Sequence, residues 1–242
     1  YGAYNVPTSS IVRRIRSLKS RQHLRLLDQS QTNLSVLDFG CGSGEWLMHV
    51  CEMLPDEASV VGVDFSNETP HLFSESKIKY FPYSNIGQVV SDSIDSCRMI
   101  QVIEHLGDLR EVLNEITRVL KPGGVLLIET PVPSGWDFKI GQRGIWGGWH
   151  APRHFHVFSV GSLHSILRQC GFEVLKESYI FGPYVWAETI RVKLNSRHAR
   201  IAKFFTIANP LCLFFVASID LVQRTLTRST SNYRIVCRSI TK

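Results

Sequence analysis

A chain of 242 residues, 44% of them hydrophobic, can fill one α/β domain with a small appendage and is too short for two ordinary domains. Its six cysteines stand singly at 41, 51, 97, 170, 212 and 237 with no C-x-x-C pair, which argues against a disulfide framework or a zinc site and for a reducing compartment. The net charge of +6 divides into basic ends around an acidic middle, which is not the pattern of a nucleic-acid enzyme whose basic stripe lines its cleft.

Residues 11–25 hold six basic residues and no acid, and 191–228 hold seven against Asp220 alone. Residues 229–242 add three more, whereas 26–190 hold eleven against twenty acids. An anionic membrane surface is the better partner for such ends, with solvated helix faces as the plain alternative. No leader-like segment is visible, so a cytoplasmic location is expected, at the inner face of a membrane if the basic ends engage one.

In chain order, Ser9 and Ser10 can cap a helix in which Ile11, Val12, Ile15 and Leu18 recur at helical spacing. A basic amphipathic helix within residues 1–30 is therefore expected to precede one domain over 31–242. Val36 to Phe39 predicts a buried strand, Glu45 to Leu54 a helix closed by Pro55, and Val60 to Asp64 a second strand. Residues 78–81 and 95–103 follow as third and fourth strands. Leu109, Val112, Leu113, Ile116 and Leu120 share one face of the clearest helix, with Asp108 and Glu111 at capping-box spacing. Lys121-Pro122-Gly123-Gly124 stops that helix and hands the chain to a central strand at Val125 to Ile128. Ser159 to Cys170 predicts a helix stopped by Gly171, and Phe172 to Tyr179 a strand. Tyr233, Ile235 and Cys237 alternate as a last strand, beyond a gap too long for an ordinary connection, so 181–231 is an insertion. Strands alternating with helices imply a parallel sheet covered on both faces.

In such a sheet, ligands gather at the carboxyl ends of the strands where strand order reverses. The first strand ends in Asp38-Phe39-Gly40-Cys41-Gly42-Ser43-Gly44, whose three glycines leave the backbone bare enough to approach a ligand. Asp64 ends the second strand twenty residues after Gly44, where a carboxylate can accept from both hydroxyls of a ribose, and Phe65 beside it can pack on an adenine. A dinucleotide fingerprint starting at Gly40 needs its third glycine at 45, but Glu45 stands there and would face a pyrophosphate with negative charge. S-adenosylmethionine carries no phosphate, and its sulfonium and ammonium groups tolerate acids such as Asp38.

VLDFGCGSGEW, VVGVDFS, the segment Gln101-Val102-Ile103-Glu104-His105-Leu106 and RVLKPGGVLLIETP resemble, in order and spacing, the class I S-adenosylmethionine-dependent methyltransferases. WGGWHAPRHFHVFS and the later Gly171-Phe172-Glu173-Val174 resemble the bacterial branch related to ubiquinone-biosynthesis O-methyltransferases and to methyltransferases found with cell-surface polysaccharide genes. The resemblance covers 36–180. It implies a Rossmann-like, doubly wound, mostly parallel seven-stranded sheet with helices on both faces and a C-terminal helical insertion before the last strand. It further implies that Asp38, Gly40, Cys41, Gly42 and Gly44 line the methionine part of S-adenosylmethionine, Asp64 the ribose, and Gln101 the loop beside the sulfonium. Where the family usually places an acid after the third strand this chain has Tyr83-Ser84-Asn85, leaving Ser84 and Asn85 as adenine-side candidates. Arg98, in a strand that is normally apolar, must find water or a partner.

Methyl transfer from a sulfonium is an in-line displacement that depends on alignment, and a hydroxyl acceptor also needs a base. His105, just past the fourth strand, ranks first for that role. His150, Arg153, His154 and His156 follow the fifth strand and should overhang the same pocket, with Trp146 and Trp149 as apolar walls. His154 and His156 can equally orient a loop by bonding to backbone, and Arg153 can pair with an acceptor anion or hold the loop through an acid. No metal is expected: no acid or cysteine accompanies the three histidines, and Gln101 replaces the first acid of the E-x-x-E-H segment associated with a divalent metal in the related ubiquinone enzymes.

Within the insertion, sixteen uncharged residues lie between Lys203 and Asp220, flanked by Arg197, Arg200 and Lys203 and by Arg224 and Arg228. Asn209-Pro210 is expected to break this stretch into two short apolar helices that lie in a membrane interface or cap a greasy acceptor channel, unless they serve a dimer contact or core packing. The expected function is methyl transfer, at oxygen, to a small-molecule or lipid-linked acceptor. The alternatives are a nicotinamide-dependent oxidoreductase and a membrane-associated fold of this kind without catalysis.

Overall fold

The computed structural model of the chain describes residues 10–27, 34–74, 76–141, 144–150, 152–195 and 198–240, with side chains of the first helix from residue 17 onward. Ser9, Arg197 and the side chains of Ile11, Val12 and Ile15 lie outside the described set.

The helix α1 (Ser10–Leu26) precedes β1 (Ser35–Phe39), α2 (Glu45–Cys51), β2 (Ser59–Asp64), β3 (Lys79–Pro82) and β4 (Ile94–Ile100). Then come α3 (Leu109–Val119), β5 (Leu120–Pro131), α4 (Trp136–Gly141), α5 (Val160–Gln169) and β6 (Phe172–Tyr179). The insertion supplies α6 (Pro183–Asn195), α7 (Ala199–Ala202) and α8 (Pro210–Thr227) before β7 (Asn232–Ser239). The seven strands form one sheet in the order β3-β2-β1-β4-β5-β7-β6. Only β7 runs against its neighbours, so β6 keeps the direction of β5 and ends on the same edge. Consecutive strands lead away from β1 on one side, and β4 then returns to pair with it on the other, which opens the crevice between β1 and β4.

Alternate strand residues supply two cores. Leu37, Phe39, Met99, Leu126 and Ile128 meet α3 and α5 through Leu113, Ile116, Leu163 and Leu167 on one face. Val36, Val60, Val125 and Leu127 meet α1 and α2 through Leu24, Leu47 and Val50 on the other. Asp108 caps α3 as its spacing predicts, accepting from the Glu111 N–H at 3.0 Å. The chain then turns straight from Val119 into β5, with the Lys121 ammonium 2.7 Å from the buried Asp95 carboxylate.

Two sequence expectations are corrected. Leu18, read on the apolar face of an amphipathic α1, is exposed, and the face that meets the domain is instead that of Ser20, His23 and Leu24, which are buried. The reason is polar: His23 Nε2 lies 2.9 Å from the Glu129 carboxylate, and Arg234 Nε donates to the same oxygen at 2.6 Å. In the insertion, Asn209-Pro210 starts a helix instead of breaking one. Asn209 Oδ1 accepts from the N–H groups of Leu211 (3.0 Å) and Cys212 (3.3 Å), and proline at the first helical position has no N–H to leave unsatisfied. The result is a single helix of 18 residues, long and apolar enough by length and composition to cross a membrane.

The Glu129 group gives a stability test. Burial alone would raise its carboxyl, but the hydrogen bond and charge of His23 and Arg234 outweigh burial and hold it down to about 2, from 4.5. Burial keeps His23 below its ordinary value, so near neutrality it donates a hydrogen bond and Arg234 supplies the answering charge. A depressed folded-state value means stability that is fully present above pH 4.5 and lost as pH falls toward 2. Glu129→Gln should therefore cost on the order of 3 kcal/mol at pH 7 and flatten the acid limb of the pH–stability curve measured by urea unfolding. A variant that keeps the wild-type acid limb would contradict the assignment.

Candidate active site at the carboxyl edge of the sheet

β1 leaves the sheet at Gly40, where the chain takes φ +78° and both Gly40 and Cys41 donate their N–H to the Val63 carbonyl, at 2.7 and 3.1 Å. A Cβ at Gly40 would stand 2.4 Å from the Val102 side chain, so bare backbone is required there on two counts. At Gly42 the space is open, with nothing within 4 Å of where a Cβ would point. The loop thus presents an uncovered cradle on its outer side while α2 starts behind it. Cys41 contributes only main chain to that cradle: its thiol is buried against Gly62, and burial pushes it well above the ordinary thiol range.

Asp64 closes the cradle. One carboxylate oxygen accepts from the Gly42 N–H at 2.8 Å and the other from the Ser66 N–H at 3.2 Å, which fixes the group across the loop while leaving lone pairs for a ligand's hydroxyls. Phe65 is 46% exposed and stands 4.9 Å from the Tyr83 ring, with Phe39 edge-on to both. Sequence reasoning named Phe65, Ser84 and Asn85 here and missed Tyr83. Ser84 and Asn85 are exposed on the short 3-10 turn that Tyr83 begins. The available signal was an aromatic residue immediately after a strand.

Asp38 is buried at the end of β1 with Arg98 Nη1 at 3.3 Å, and the guanidinium lies 4.2 Å from the Trp46 ring centre. Arg98 thus finds both an anion and an aromatic face inside the protein. Burial raises the Asp38 carboxyl to about 6, opposed by Arg98 and reinforced by Asp64. An approaching cationic ammonium would favour the ionised form and supply the solvation that burial removed.

Gln101 holds φ +54° at the end of β4. Its amide is committed at both ends, donating to Asn232 Oδ1 at 3.1 Å and accepting from the Tyr184 hydroxyl at 2.7 Å. Tyr184 belongs to α6, so the insertion reaches over this edge and is tied to it. Gln101 can therefore offer main chain to a cofactor, while its side chain fastens the cover.

His105 follows on the 3-10 turn Ile103–His105. Its Nδ1 lies 2.9 Å from the Arg153 carbonyl, which can only accept, so the neutral ring is protonated at Nδ1 and keeps a lone pair on Nε2. His154 is fixed in the same way by the Gly148 carbonyl at 2.8 Å, and its ring stands 4.6 Å from that of His105. Burial lowers His154 to about 4, with His105 and His150 adding to the effect, so it is neutral near pH 7. His150 is exposed at φ +34°, its ring 5.1 Å from His154, and Arg153 is exposed with no acid partner among the described residues. His156 Nε2 is buried without a hydrogen-bond partner, and its ring lies beside Phe158.

Two further expectations are corrected here. Trp146 is no pocket wall: it is 2% exposed, donates from Nε1 to the buried Asp137 at 2.7 Å and anchors the loop, whereas Trp149 packs edge-on against it at the surface. An acid does accompany the histidines, because ligand-capable atoms of Glu104, His105 and His154 all lie within 4.8 Å of one another. Glu104 is buried, accepts from Thr130 Oγ1 at 2.9 Å and leaves Oε1 unpartnered. Burial raises its carboxyl to about 7, against hydrogen bonds that lower it. A carboxyl raised toward neutrality, with two imidazoles this close, can pass protons.

A family profile described as a methyltransferase domain matches residues 11–177. Demethylmenaquinone methyltransferase of Lactococcus lactis is 34% identical over 113 residues, 43% of this chain and 44% of that protein. A Mycolicibacterium smegmatis protein named "Probable S-adenosylmethionine-dependent methyltransferase" is 30% identical over 167 residues, 67% of this chain and 59% of that protein. The matches thus span roughly half the length of these curated relatives. Among solved structures, a SAM-dependent methyltransferase from Archaeoglobus fulgidus superposes with a TM-score of 0.57 at 18% identity, covering 94% of each chain. Haemonchus contortus phosphoethanolamine N-methyltransferase 2 in complex with S-adenosyl-L-methionine does so with a TM-score of 0.60 at 18% identity, over 93% of this chain and 53% of that one. At such identities the superpositions establish the fold.

Proposed function

The chain belongs to the S-adenosylmethionine-dependent methyltransferases, and we propose that it methylates a hydroxyl oxygen of a hydrophobic, lipid-associated small molecule, with His105 as the base. The nicotinamide alternative falls with family membership.

The cradle fits S-adenosylmethionine by its chemistry. The open space at Gly42 would take the methionine part, buried Asp38 would answer the ammonium, Asp64 would accept from the ribose hydroxyls, and Phe65 with Tyr83 would flank the adenine. When bound, S-adenosylmethionine supplies an electrophilic methyl group on a positively charged sulfur. The part of this chain in that transfer would be to align the acceptor hydroxyl and take its proton on His105 Nε2. The Arg153 carbonyl fixes the ring for this and favours the cation that results. Glu104 and His154 stand next to carry the proton on. The observation that carries the reading is the His105 ring just past β4, with Nδ1 2.9 Å from the Arg153 carbonyl and no hydrogen bond to Nε2 among the described residues.

The hydrophobic acceptor is inferred from the insertion. α8 buries Cys212, Val216, Asp220 and Gln223 against the domain, and Asp220 accepts from the Gly182 N–H at 2.9 Å. Its other side shows Leu211 at 72%, Phe214 at 76% and Leu226 at 71% exposure. A helix held to the domain by a mixed face of Cys212, Val216, Asp220 and Gln223 and apolar outside suits a membrane interface better than a span. Arg200, Lys203, Arg224 and Arg228 flank it with positive charge, which supports a reading in which the enzyme works at the cytoplasmic face of an anionic membrane. The Lactococcus relative, named for a lipid-soluble quinone precursor, agrees with this class of acceptor. Incubation with methyl-labelled cofactor and a membrane lipid extract should put label into the organic phase as an ether. Label confined to water-soluble acceptors, or found on nitrogen, would overturn the reading.

A further inference from the structure

On the sheet face opposite α5, β5, β7 and β6 form the floor of a cavity of about 250 Å³ walled by α1 and by Arg224 of α8, with no residue of the glycine loop in its lining. Lys19 of α1, Lys176 of β6 and Arg224 all line it, and none of the three side chains has a hydrogen bond or ion pair among the described residues. Arg224 senses buried Asp220, but that carboxylate takes its hydrogen bond from the Gly182 N–H. The two acids in the lining are already answered. Glu129 is held by Arg234 and His23, and Glu177 is bonded by Tyr233 at 2.6 Å and His164 at 2.6 Å. Three cations without a hydrogen-bonded or ion-paired partner among the described residues thus line the hollow beside Ser178, Arg224 being answered only through the field of Asp220.

We propose that this cavity is an anion site for a phosphate group, separate from the cofactor cradle. A guanidinium fork with two ammonium points suits a tetrahedral, multiply charged oxyanion better than a planar carboxylate. The volume is below that of ordinary small-molecule pockets, about 300–1,000 Å³, and matches a head group rather than a whole acceptor. Ile180 and Phe181 give the rim an apolar side, and Phe181 is 40% exposed. Leu221, one turn before Arg224 on α8, is 56% exposed next to it. A phosphate with an apolar substituent, as in a phospholipid, and a free phosphate both meet this chemistry. The inference does not depend on the acceptor proposed above.

The test has two arms: calorimetric titration with inorganic phosphate, and cosedimentation with phosphatidylcholine vesicles with and without phosphatidic acid. Lys176→Gln and Arg224→Gln should each weaken binding about tenfold in at least one arm, as loss of a charge-assisted contact does. Arg168→Gln removes the same charge from an exposed site on α5, outside the cavity and on the other face of the sheet, and should change binding by no more than about twofold. Thermal unfolding and S-adenosylhomocysteine titration should be unchanged in all three. Effects in both arms identify phosphate itself as the ligand, and effects in the vesicle arm alone identify a lipid head group. Equal effects of all three substitutions, or no binding in either arm, overturn the proposal. Loss of S-adenosylhomocysteine binding instead would indict the cofactor site and leave the two readings distinguishable.

Discussion

Replacing Asp64 by alanine is expected to weaken S-adenosylmethionine binding at least about a hundredfold, because two charge-assisted hydrogen bonds to the ribose vanish together. The carboxylate has a second duty that adds to the loss. It accepts the Gly42 N–H at 2.8 Å, so its removal frees the loop that must stay open and ordered to receive the ligand. Asp64→Asn separates the two effects: the amide oxygen can still accept from Gly42, but only one acceptor atom remains for the sugar, so an intermediate loss is expected. Titration calorimetry with S-adenosylhomocysteine reads both variants, and an unchanged dissociation constant for the alanine variant would contradict the placement of the ribose.

His105→Ala is expected to leave that dissociation constant within about twofold and to lower kcat by about 10²–10⁴, the usual contribution of a positioned base. The deficit should shrink at alkaline pH, where an acidic acceptor hydroxyl ionises without help. A structural role would behave differently. The ring bonds to the Arg153 carbonyl, and loss of that bond alone would loosen residues 152–156 and raise KM without a pH signature. A variant that loses cofactor binding as severely as Asp64→Ala would show that His105 serves the cradle, not the acceptor.

How much of this was legible in the sequence differs from element to element, for physical reasons. The inner strands were readable because a strand covered on both faces is written as an unbroken apolar run, as in Val60 to Val63 and Val125 to Ile128. The ends of α3 were readable because Asp108 and Lys121-Pro122-Gly123-Gly124 act within one turn of their own position. The glycine loop and Asp64 were readable for the same reason: a backbone approach needs small residues at fixed spacing, and the acid sits at the end of the next strand.

What escaped depends on contacts between distant parts of the chain. Nothing local to His23 announces Glu129, 106 residues away, or Arg234, and their meeting decides which face of α1 is buried. Arg98 was a charge in want of a partner until β4 paired with β1 and set it beside Asp38. Glu104 joins His105 to His154 only when the loop after β5 folds back, with the Phe155 and His156 N–H groups both donating to the Glu104 carbonyl. Asn209-Pro210 was misread for a different reason. The same dipeptide that ends a helix from within also starts one from outside, and only the uninterrupted apolar run after it tells the two apart.

In the proposed complex the open backbone at residues 40–44 and the carboxylate of Asp64 together hold S-adenosylmethionine within reach of His105. A crystal structure of the chain with S-adenosylhomocysteine tests it most directly. Both ribose hydroxyls should lie within hydrogen-bond distance of Asp64, the adenine between Phe65 and Tyr83, and the sulfur on the side of His105 Nε2. A ligand bound elsewhere, or one whose ribose leaves Asp64 bonded only to its own loop, would contradict the account.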